Sequence, residues 1–342
     1  MNKKNVAVNA AFHYYKTEKY ERLEKETATP EYLEYRKNWV EYPKTQNAPI
    51  PLNIDIELTS ACNLRCPMCP RTIFCEKNKK DMKGFITDEL FYKIIDDAVN
   101  IGVPAIKLNW RGESTIHPHI IELITYAKQK GIIDVLMNTN GTTMTEEFTE
   151  KLIKSGIDKV FFSFDSPHKE TYESIRVGAQ FEKVVENIKR INKIKEKLGT
   201  VKPLTRISRV NMPNDDNEEL MKKTIELFGD AVDGYNFLSF SDFAVVPDDE
   251  MFISEKANSF LCPMPYQRIT VSCSGKVYPC CSDTKEQYCI GDLNTDSIMD
   301  IWTGERLNNL RKMIIDGSWK NLDTCRNCFA AAYHQDRKDG SI

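Results

Sequence analysis

The middle of this chain repeats one unit, an amphipathic helix that ends at a glycine and is followed by a β-branched strand. The helix-ending glycines are Gly102, Gly131 and Gly156, and they recur at intervals of about 25 to 30 residues, the length of one βα unit. Glycine suits the left-handed backbone at a helix end because it has no Cβ. Alternating helices and strands predict a parallel sheet with right-handed crossovers.

Further units continue this pattern on both sides of the three glycines. The predicted strands are 52–58, 105–109, 132–137, 159–164, 205–210 and 235–240. The predicted helices are 87–100, 120–130, a helix opened by a capping box at Thr143 and Glu146, 181–198 and 217–228. About six βα units predict an α/β fold with a partial (β/α)6 TIM-like barrel over residues 51–250. In such barrels the chemistry lies at the C-terminal ends of the strands.

The segments that flank this barrel differ from it in composition. Residues 1–50 are rich in Tyr, Glu and Lys, and prolines at 43, 49 and 51 separate them from the barrel, so we expect a helical N-terminal extension. Beyond residue 250, short strands at 267–272 and 276–279 flank Ser274-Gly275, a hairpin signal, and short helices follow at 297–302 and 305–315. Residues 251–342 are therefore predicted to form a small second domain.

The eleven cysteines fall into two groups, one early and one late, with a long cysteine-free segment between them. The N-terminus shows no signal peptide and no apolar run is long enough to span a membrane, so we expect a cytoplasmic protein. A reducing compartment favours metal ligation over disulfides for clustered cysteines. The net charge of −3 gives no electrostatic reason to expect nucleic acid or a membrane as a partner.

The early group contains Cys62, Cys66 and Cys69 at CxxxCxxC spacing, directly after the first predicted barrel strand. A [4Fe–4S] cluster usually takes four cysteines, so three thiolates leave one iron able to bind another ligand. The alternative is a structural zinc site with Cys75 as the fourth ligand.

This CxxxCxxC loop after a first strand resembles that of the radical S-adenosylmethionine (SAM) superfamily, in which the open iron chelates SAM. Residues 110–114 (WRGES) follow strand two and resemble the GGEP motif of that family, with Gly112 and Glu113 retained. The sequence TNG ends strand three, and an Arg follows strand four, as in the family. The resemblance implies that SAM is bound by these residues: Gly112, Glu113, Asn140, Ser163 and Arg176.

The late group contains a CxxC at Cys325 and Cys328, preceded by Cys262 and Cys280. It resembles the SPASM domain, a C-terminal extension of radical SAM enzymes that holds auxiliary iron–sulfur clusters. The tail after residue 328 contains no further cysteine, and this departure implies one auxiliary [4Fe–4S] cluster, as in the shortened twitch version. Cys281 could replace Cys280 as a ligand, and a zinc ribbon is the alternative.

The resemblance implies two [4Fe–4S] clusters, SAM, and an external electron donor such as flavodoxin or ferredoxin. We expect hydrogen abstraction from a small-molecule or peptide substrate, with a sugar, cyclitol or nucleotide sugar favoured, and oxidation through the auxiliary cluster. Epimerisation, peptide modification and, outside enzymes, an iron–sulfur carrier or a zinc module are the alternatives. Candidate substrate-contacting or catalytic residues are Arg111, Arg206, Arg209, Asp242 and Cys273, the last as a hydrogen-atom donor.

Overall fold

The structure is a computed structural model that describes residues 12–15, 17–79, 81–211, 216–239, 261–326 and 328. Its strands form one sheet in the order β1-β7-β6-β5-β4-β3-β2-β8-β9-β10. The strands are β1 Phe12–Tyr15, β2 Asn53–Ile56, β3 Ala105–Leu108, β4 Asp134–Thr139, β5 Lys159–Ser163, β6 Leu204–Asn211, β7 Gly234–Ser239, β8 Arg268–Val271, β9 Lys276–Tyr278 and β10 Gly291–Asp292. The strands from β2 to β7 run parallel to one another and form an unclosed partial barrel, so the predicted fold class is confirmed.

Helices follow most of the strands and cover the outer face of the sheet. They are α1 Glu18–Thr27, α2 Pro30–Thr45, α3 Pro70–Asn78, α4 Asp88–Asn100, α5 Ile120–Lys130, α6 Glu146–Lys154, α7 Lys169–Ile175, α8 Phe181–Leu198, α9 Asn217–Phe228, α10 Met264–Gln267, α11 Ile298–Trp302, α12 Glu305–Asp316 and α13 Asp323–Arg326. Short 3₁₀ turns lie at 114–116, 229–231 and 318–321.

The glycines that end the predicted helices adopt the left-handed backbone that the sequence requires. Gly102, Gly131 and Gly156 have φ values of 83°, 105° and 84°. At Gly131 the amide of the next residue, Ile132, donates back to Ala127 at 3.1 Å, which completes the helix end. Because the amide of Ile132 is bonded to α5, β4 begins at Asp134, two residues later than predicted.

The cap predicted for α6 is wrong by two positions. The capping residue is Thr145, not Thr143, and its side chain accepts a hydrogen bond from the amide of Phe148. Glu146 is consequently the first helical residue and does not close a capping box with Thr143. Thr143 instead donates its hydroxyl to Thr115 at 2.6 Å.

Successive side chains of each barrel strand alternate between the helices and the concave face of the sheet. Ile54 and Ile56 of β2, like Ile106 and Leu108 of β3, are fully buried against the helices. The other positions face the interior of the partial barrel, which we call the lumen. The lumen-facing residues include Asp55, Glu57, Lys107, Asn109, Asn138, Phe161, Arg206, Ser208, Asn236, Arg268 and Thr270. The lumen is therefore polar, whereas the outer face of the sheet is apolar.

Helix α2 closes the N-terminal end of the lumen. Its Tyr35 and Trp39 pack edge to face, with ring centroids 6.0 Å apart, and form a small apolar cluster with Leu52 and Ala105. The guanidinium of Arg268 lies over the Trp39 ring at 4.7 Å. The predicted N-terminal extension thus supplies a plug for the barrel through α2.

The sheet also continues into both flanking segments. β1 pairs antiparallel with β7, which adds a strand that the helical prediction for residues 1–50 does not contain. β8 pairs parallel with β2, so the C-terminal segment extends the same sheet, and β9 forms the predicted hairpin with β8 around Gly275. The Trp302 indole donates to the carbonyl of Ala48 at 2.7 Å, which joins the C-terminal segment to the chain just before β2.

None of the helices in the described part of the chain has the length and apolar character needed to cross a membrane.

Replacing Trp39 by alanine tests whether the packing of α2 at the N-terminal end of the lumen stabilises the protein. Trp39→Ala should destabilise the protein by about 3–5 kcal/mol, because it empties a buried aromatic site. Leu33→Ala is the matched control on the same helix, since Leu33 is 58% exposed and its loss should change the stability by less than about 0.5 kcal/mol. Urea unfolding of both variants under anaerobic conditions measures the difference, and equal midpoints would contradict the role assigned to α2.

Candidate active site

The loop between β2 and α3 carries the early cysteines at the carboxyl end of the sheet. Cys66 is buried, and Cys69 is the residue that precedes α3. Burial, and to a smaller extent the nearby Glu113, Cys66 and Cys69, raise the pKa of Cys62 to about 11. Burial also raises the pKa of Cys66, with Cys69 among its neighbours. The structure therefore brings the three thiols together, and binding a metal cluster would release their protons.

Cys75 lies apart from this group. It is on α3, and its thiol donates to Asp81 at 3.7 Å. Asp81 in turn accepts hydrogen bonds from Arg65 and Arg71. Across the described ranges, no three Cys, His, Asp or Glu side chains are arranged to ligate a single metal ion.

Gly112 is a position that accepts no side chain. A Cβ there would clash with the carbonyl oxygens of Thr59 and Ala61, which lie just before the cysteine loop. The amide of Glu113 donates to the Ala61 carbonyl at 2.9 Å. The turn after β3 therefore fits directly against the start of the cysteine loop, and only glycine allows that approach.

Glu113 joins the ends of β3 and β4. Its carboxylate is buried and accepts hydrogen bonds from the hydroxyl of Thr115 at 2.6 Å and from the hydroxyl of Thr139 at 2.8 Å. The amide of Asn140 donates to the second carboxylate oxygen at 2.8 Å. The carboxylate is thus held in one orientation by donors from two strand ends.

Asn140 connects the end of β4 to the cysteine loop. Its side-chain amide donates to the Asn63 side chain at 2.8 Å, and Asn63 donates to the Thr142 hydroxyl at 2.7 Å. Asn63 lies next to Cys62 in the chain. The sequence analysis did not single out Asn63, although its place inside the CxxxCxxC run was a signal.

Arg176 lies between Cys66 and the end of β5. Its guanidinium donates to the buried carboxylate of Asp165 at 2.5 Å and approaches the Cys66 sulfur at 3.9 Å. Ser163 ends β5, pairs in register with Ser208 and is partly exposed. The partner of Arg176, Asp165, was missed by the sequence analysis.

The guanidinium of Arg111 forms ion pairs with two carboxylates. It forms a bidentate pair with Glu57, both distances being 2.8 Å, and a third contact with Glu286 at 2.7 Å. Its guanidinium also lies over the Trp110 ring at 4.0 Å. These contacts fix the end of β3 to the end of β2 and to the loop after β9, so Arg111 is a structural link between the two cysteine regions.

Arg206 and Arg209 face opposite sides of β6. Arg209 is fully buried, donates to the carbonyl of Asp165 at 2.7 Å and contacts Asn217 of α9 at 3.2 Å, which gives it a scaffold role on the helix side. Arg206 faces the lumen, where its guanidinium lies over the Phe161 ring at 3.7 Å. Of the two, only Arg206 is placed to contact a substrate in the lumen. Asp242, the remaining candidate, lies outside the described residues.

The late cysteines surround a second pocket. A cavity of about 240 Å³ is lined by Cys262, Cys280, Cys325 and Cys328, together with apolar side chains such as Leu310 and Trp319. Burial, and to a smaller extent the nearby Cys328, raise the pKa of both Cys262 and Cys325, that of Cys325 to about 12. Four cysteines on the wall of one cavity supply the number of ligands that a cubane cluster usually takes.

Cys280 and Cys281 are adjacent in the chain but have different surroundings in the structure. Cys280 lines the cavity. Cys281 is close enough to raise the pKa of Cys262, but it also lies near Asp55 and Arg268 of the lumen, and its carbonyl accepts the Trp110 indole N–H at 2.8 Å. Of the two, Cys280 is the residue on the wall of the cavity.

Cys273 and Cys289 lie outside both the early group of three cysteines and the four cysteines that line the cavity. Cys273 follows β8, and its amide donates to Glu57 at 3.2 Å. Burial raises the pKa of Cys273 to about 11, and its sulfur lies 2.6 Å from where a Cβ on Gly84 would stand. Cys289 donates to the carbonyl of Gly291 at 3.3 Å.

The two histidines after the Gly-Glu turn, His117 and His119, make local structural contacts. His117 is buried, contacts the carbonyl of Ile86 at 3.2 Å and has a pKa lowered by burial. His119 is at the start of α5 and contacts Asp88 at 2.7 Å.

Comparison with known families agrees with this arrangement. The family model described as the radical SAM superfamily matches residues 56–227, which include the cysteine loop and the strand ends described above. The chain belongs to the radical SAM superfamily. A second model, SPASM, described as an iron–sulfur cluster-binding domain, matches residues 262–329. These families carry a [4Fe–4S] cluster with SAM and, in the SPASM region, additional iron–sulfur binding, so these cofactor predictions are confirmed.

Two named relatives align with about three quarters of the chain, and a third aligns with less than half. The tungsten-containing aldehyde ferredoxin oxidoreductase cofactor-modifying protein of Pyrococcus furiosus is 27% identical over 73% of this chain and 80% of its own length. The PqqA peptide cyclase of Granulibacter bethesdensis is 24% identical over 74% of each. A probable GTP 3',8-cyclase of Pyrococcus horikoshii is 34% identical, but over only 42% of this chain and 43% of its own length.

Solved structures share the fold at low identity. Streptococcus suis SuiB bound to its precursor peptide SuiA has a TM-score of 0.62 at 14% identity, covering 83% of this chain and 72% of SuiB. BtrN in complex with AdoMet and 2-DOIA has a TM-score of 0.53 at 18% identity, covering 83% of this chain and 94% of BtrN. These likenesses confirm the partial barrel and do not identify a substrate.

The close approach at Gly112 gives a testable result. Gly112→Ala should push the turn after β3 away from Thr59 and Ala61 and lower the iron retained after anaerobic reconstitution. Gly131→Ala is the control, since no atom lies within 4 Å of a Cβ there and only its left-handed backbone is strained. The control should lose stability and keep its iron. Equal iron contents in the two variants would show that the contact does not support the cluster loop.

Proposed function

We propose that this enzyme is a radical SAM oxidoreductase that oxidises a polar substrate by two electrons. The observation that carries the proposal is the cavity lined by Cys262, Cys280, Cys325 and Cys328. Four thiolates occupy all four irons of a cubane, which leaves none for a substrate and suits the cluster to electron transfer. A dehydrogenase needs such an acceptor, whereas a redox-neutral rearrangement does not.

The proposed ligands of the first cluster are Cys62, Cys66 and Cys69. We assign the binding of SAM to the residues that the structure gathers at the ends of β3, β4 and β5: Gly112, Glu113, Asn140, Ser163 and Arg176. When bound, the first cluster and SAM supply a 5′-deoxyadenosyl radical that removes a hydrogen atom, and the second cluster supplies an acceptor for one further electron. The first cluster receives its electron from an external donor such as flavodoxin or ferredoxin.

The protein's own groups position the reacting partners. Gly112 lets the SAM-binding turn lie against the cysteine loop, and Glu113 holds that turn to the end of β4 through Thr139 and Asn140. Arg176 places a positive charge beside Cys66. The lumen then orients the substrate C–H bond and limits the access of water.

In the proposed reaction the substrate would first lose a hydrogen atom, and this atom would become part of the product 5′-deoxyadenosine. It would then lose a proton to the solvent and one electron to the second cluster, so that the product has two hydrogen atoms fewer than the substrate. Trp110 lies between the two cysteine regions, because it precedes the SAM-binding turn and its indole donates to the carbonyl of Cys281, next to Cys280. It provides a short through-bond route from the site to the second cavity.

A polar small molecule, such as a sugar, cyclitol or nucleotide sugar, is the proposed substrate. The polar side chains that line the lumen support this choice, as does the shared fold with BtrN, whose structure contains 2-DOIA. The likeness to SuiB with its bound peptide and to the PqqA peptide cyclase makes a peptide side chain the second possibility.

Epimerisation is a second candidate reaction, and the placement of Cys273 favours it. This thiol lies at the end of β8 beside Ser60 and Glu57, close to the start of the cysteine loop. With its pKa raised to about 11, chiefly by burial, the thiol is protonated at neutral pH and would give a hydrogen atom to a substrate radical. The thiyl radical left on Cys273 would then take up one electron from the second cluster and one proton.

Measuring SAM cleavage tests the enzyme assignment. The anaerobically reconstituted enzyme, reduced with dithionite and given SAM, should form 5′-deoxyadenosine and methionine in equal amounts. In D₂O, dehydrogenation leaves no solvent deuterium on the oxidised carbon, whereas epimerisation through Cys273 leaves one. Failure to form 5′-deoxyadenosine, with iron present, would contradict the enzyme proposal and favour an iron–sulfur carrier.

Neighbouring cysteines give a matched test of the second cluster. Cys280→Ala should lower the iron content from about eight to about four per chain, because it removes a ligand of one cubane. Cys281→Ala, its immediate neighbour, should keep about eight irons per chain. Iron analysis after reconstitution measures both, and the reverse pattern would assign the ligand to Cys281.

A further inference from the structure

Residues 65–83 form a positively charged segment in a chain whose net charge is −3. The segment contains six lysines and arginines against two aspartates and glutamates. Residues 262–329, which the SPASM model matches, contain eight of each and are neutral by comparison. Of the two cysteine regions, the first is therefore the one with a positively charged segment beside it.

Much of this positive charge is exposed and unpaired. Arg65 and Arg71 form ion pairs with Asp81. In the part of the chain that the structure describes, three exposed lysines of the segment form no ion pair: Lys77, Lys79 and Lys83. Helix α8 is also rich in basic residues, but three of those pair with carboxylates: Arg190, Lys195 and Lys197. Unpaired surface charges attract a partner of opposite charge and steer its approach.

Large apolar side chains are exposed among these charges. Phe74 on α3 is 43% exposed and lies on the same side of the helix as Lys77, three residues further on. Glu76, the acidic residue of α3, lies about 160° around the helix from Phe74. Val177 is 42% exposed, and its carbonyl accepts from the amide of Arg65 at 2.9 Å. An aromatic side chain with charges around it is typical of protein–protein interfaces.

These exposed residues lie next to the first cysteine group. Cys69 directly precedes α3, so Phe74 lies about 7.5 Å further along the helix axis. On the other side of the cysteine loop, Val177 follows Arg176, whose guanidinium approaches the Cys66 sulfur at 3.9 Å. A protein bound to these residues would therefore lie over the first cysteine group.

We propose that this surface docks an acidic one-electron carrier protein, which reduces the first cluster directly and not by way of the second. We call the surface the α3 face, and its residues are Arg65, Phe74, Lys77, Lys79, Lys83 and Val177. In the docked complex the carrier loses one electron and the first cluster passes from [4Fe–4S]²⁺ to [4Fe–4S]⁺. The inference rests on the proposed function, because that function takes the first cluster as the acceptor of an external electron.

Binding of a carrier protein tests the inference without turnover. A flavodoxin and a ferredoxin, both of negative net charge, are titrated in their oxidised forms into the anaerobic enzyme with both clusters bound, and calorimetry measures Kd. At least one of them should bind, and its affinity should fall about tenfold or more between about 50 mM and 300 mM salt, because screening weakens attraction between surface charges. Binding of neither carrier, or binding that does not depend on salt, would overturn the inference.

Charge reversal locates the surface. The double variant Lys77→Glu, Lys83→Glu should raise Kd for the carrier about tenfold or more, because two attractive charges become repulsive. The double variant Lys193→Glu, Lys222→Glu makes the same change of net charge on exposed lysines of α8 and α9 and should stay within about twofold. Equal Kd values in the two double variants would show that only the net charge matters and would overturn the assignment to the α3 face.

The apolar part of the surface is tested by Phe74→Ala. This variant should raise Kd for the carrier about fivefold or more, because exposed aromatic side chains often contribute strongly to binding. Leu33→Ala is the control, since Leu33 is exposed on α2 and should leave Kd unchanged. Unchanged binding in Phe74→Ala would remove Phe74 from the contact.

The choice of reductant separates the docking inference from the proposed function. Formation of 5′-deoxyadenosine driven by the reduced carrier should fall about tenfold or more in the Lys77→Glu, Lys83→Glu variant, whereas formation driven by dithionite, a small molecule that needs no docking surface, should be unchanged. If both reductants act equally on this variant and on the wild-type enzyme, the docking inference fails and the proposed function stands. If dithionite yields no 5′-deoxyadenosine in the wild-type enzyme, the proposed function fails, and the Kd values alone decide the docking surface.

Discussion

The site depends on the close backbone approach between Gly112 and the segment that precedes the cysteine loop. No side chain fits between Gly112 and the carbonyls of Thr59 and Ala61, so the ends of β2 and β3 are held at contact distance. Glu113 extends this contact to β4 through its buried carboxylate. The loop that carries three cysteines thus has its first residues held against two strand ends.

The same sheet edge also fixes the position of the second cysteine region. β2 pairs with β3 on one side and with β8 on the other, so the C-terminal segment continues the barrel sheet directly. Arg111 bonds to Glu57 and Glu286, and the Trp110 indole bonds to Cys281, both across this junction. Arg111 stands where the family motif has its first glycine, and Trp110 precedes Arg111 in the chain. These two residues therefore connect the two cysteine regions. This gives a physical reason for the WRGES variant.

Much of the fold could be predicted because local signals agreed with the final structure. Helices α5, α8 and α9 begin and end where the apolar period and the terminal glycines predicted. β4 was misplaced by two residues because Ile132 and Ile133 look like strand residues, but the amide of Ile132 closes α5. The strand β1 was missed because its pairing with β7 is a long-range contact that the local pattern does not contain.

The site was predictable at the level of motifs and less so at the level of side-chain direction. The cysteine loop, Gly112 and Glu113 were recognisable by spacing. That Arg209 faces the helices and Lys107 faces the lumen follows from strand register, which requires the exact strand limits. That Cys280 and not Cys281 lines the second cavity depends on one backbone turn after β9.

The account centres on one cluster with an open iron and one that is fully ligated by protein. Electron paramagnetic resonance of the dithionite-reduced enzyme, recorded with and without SAM, tests this directly. Two [4Fe–4S]⁺ signals should be present, and SAM should shift only one of them, because only one cluster has an iron to which SAM can bind. A shift of both signals, or of neither, would contradict the account.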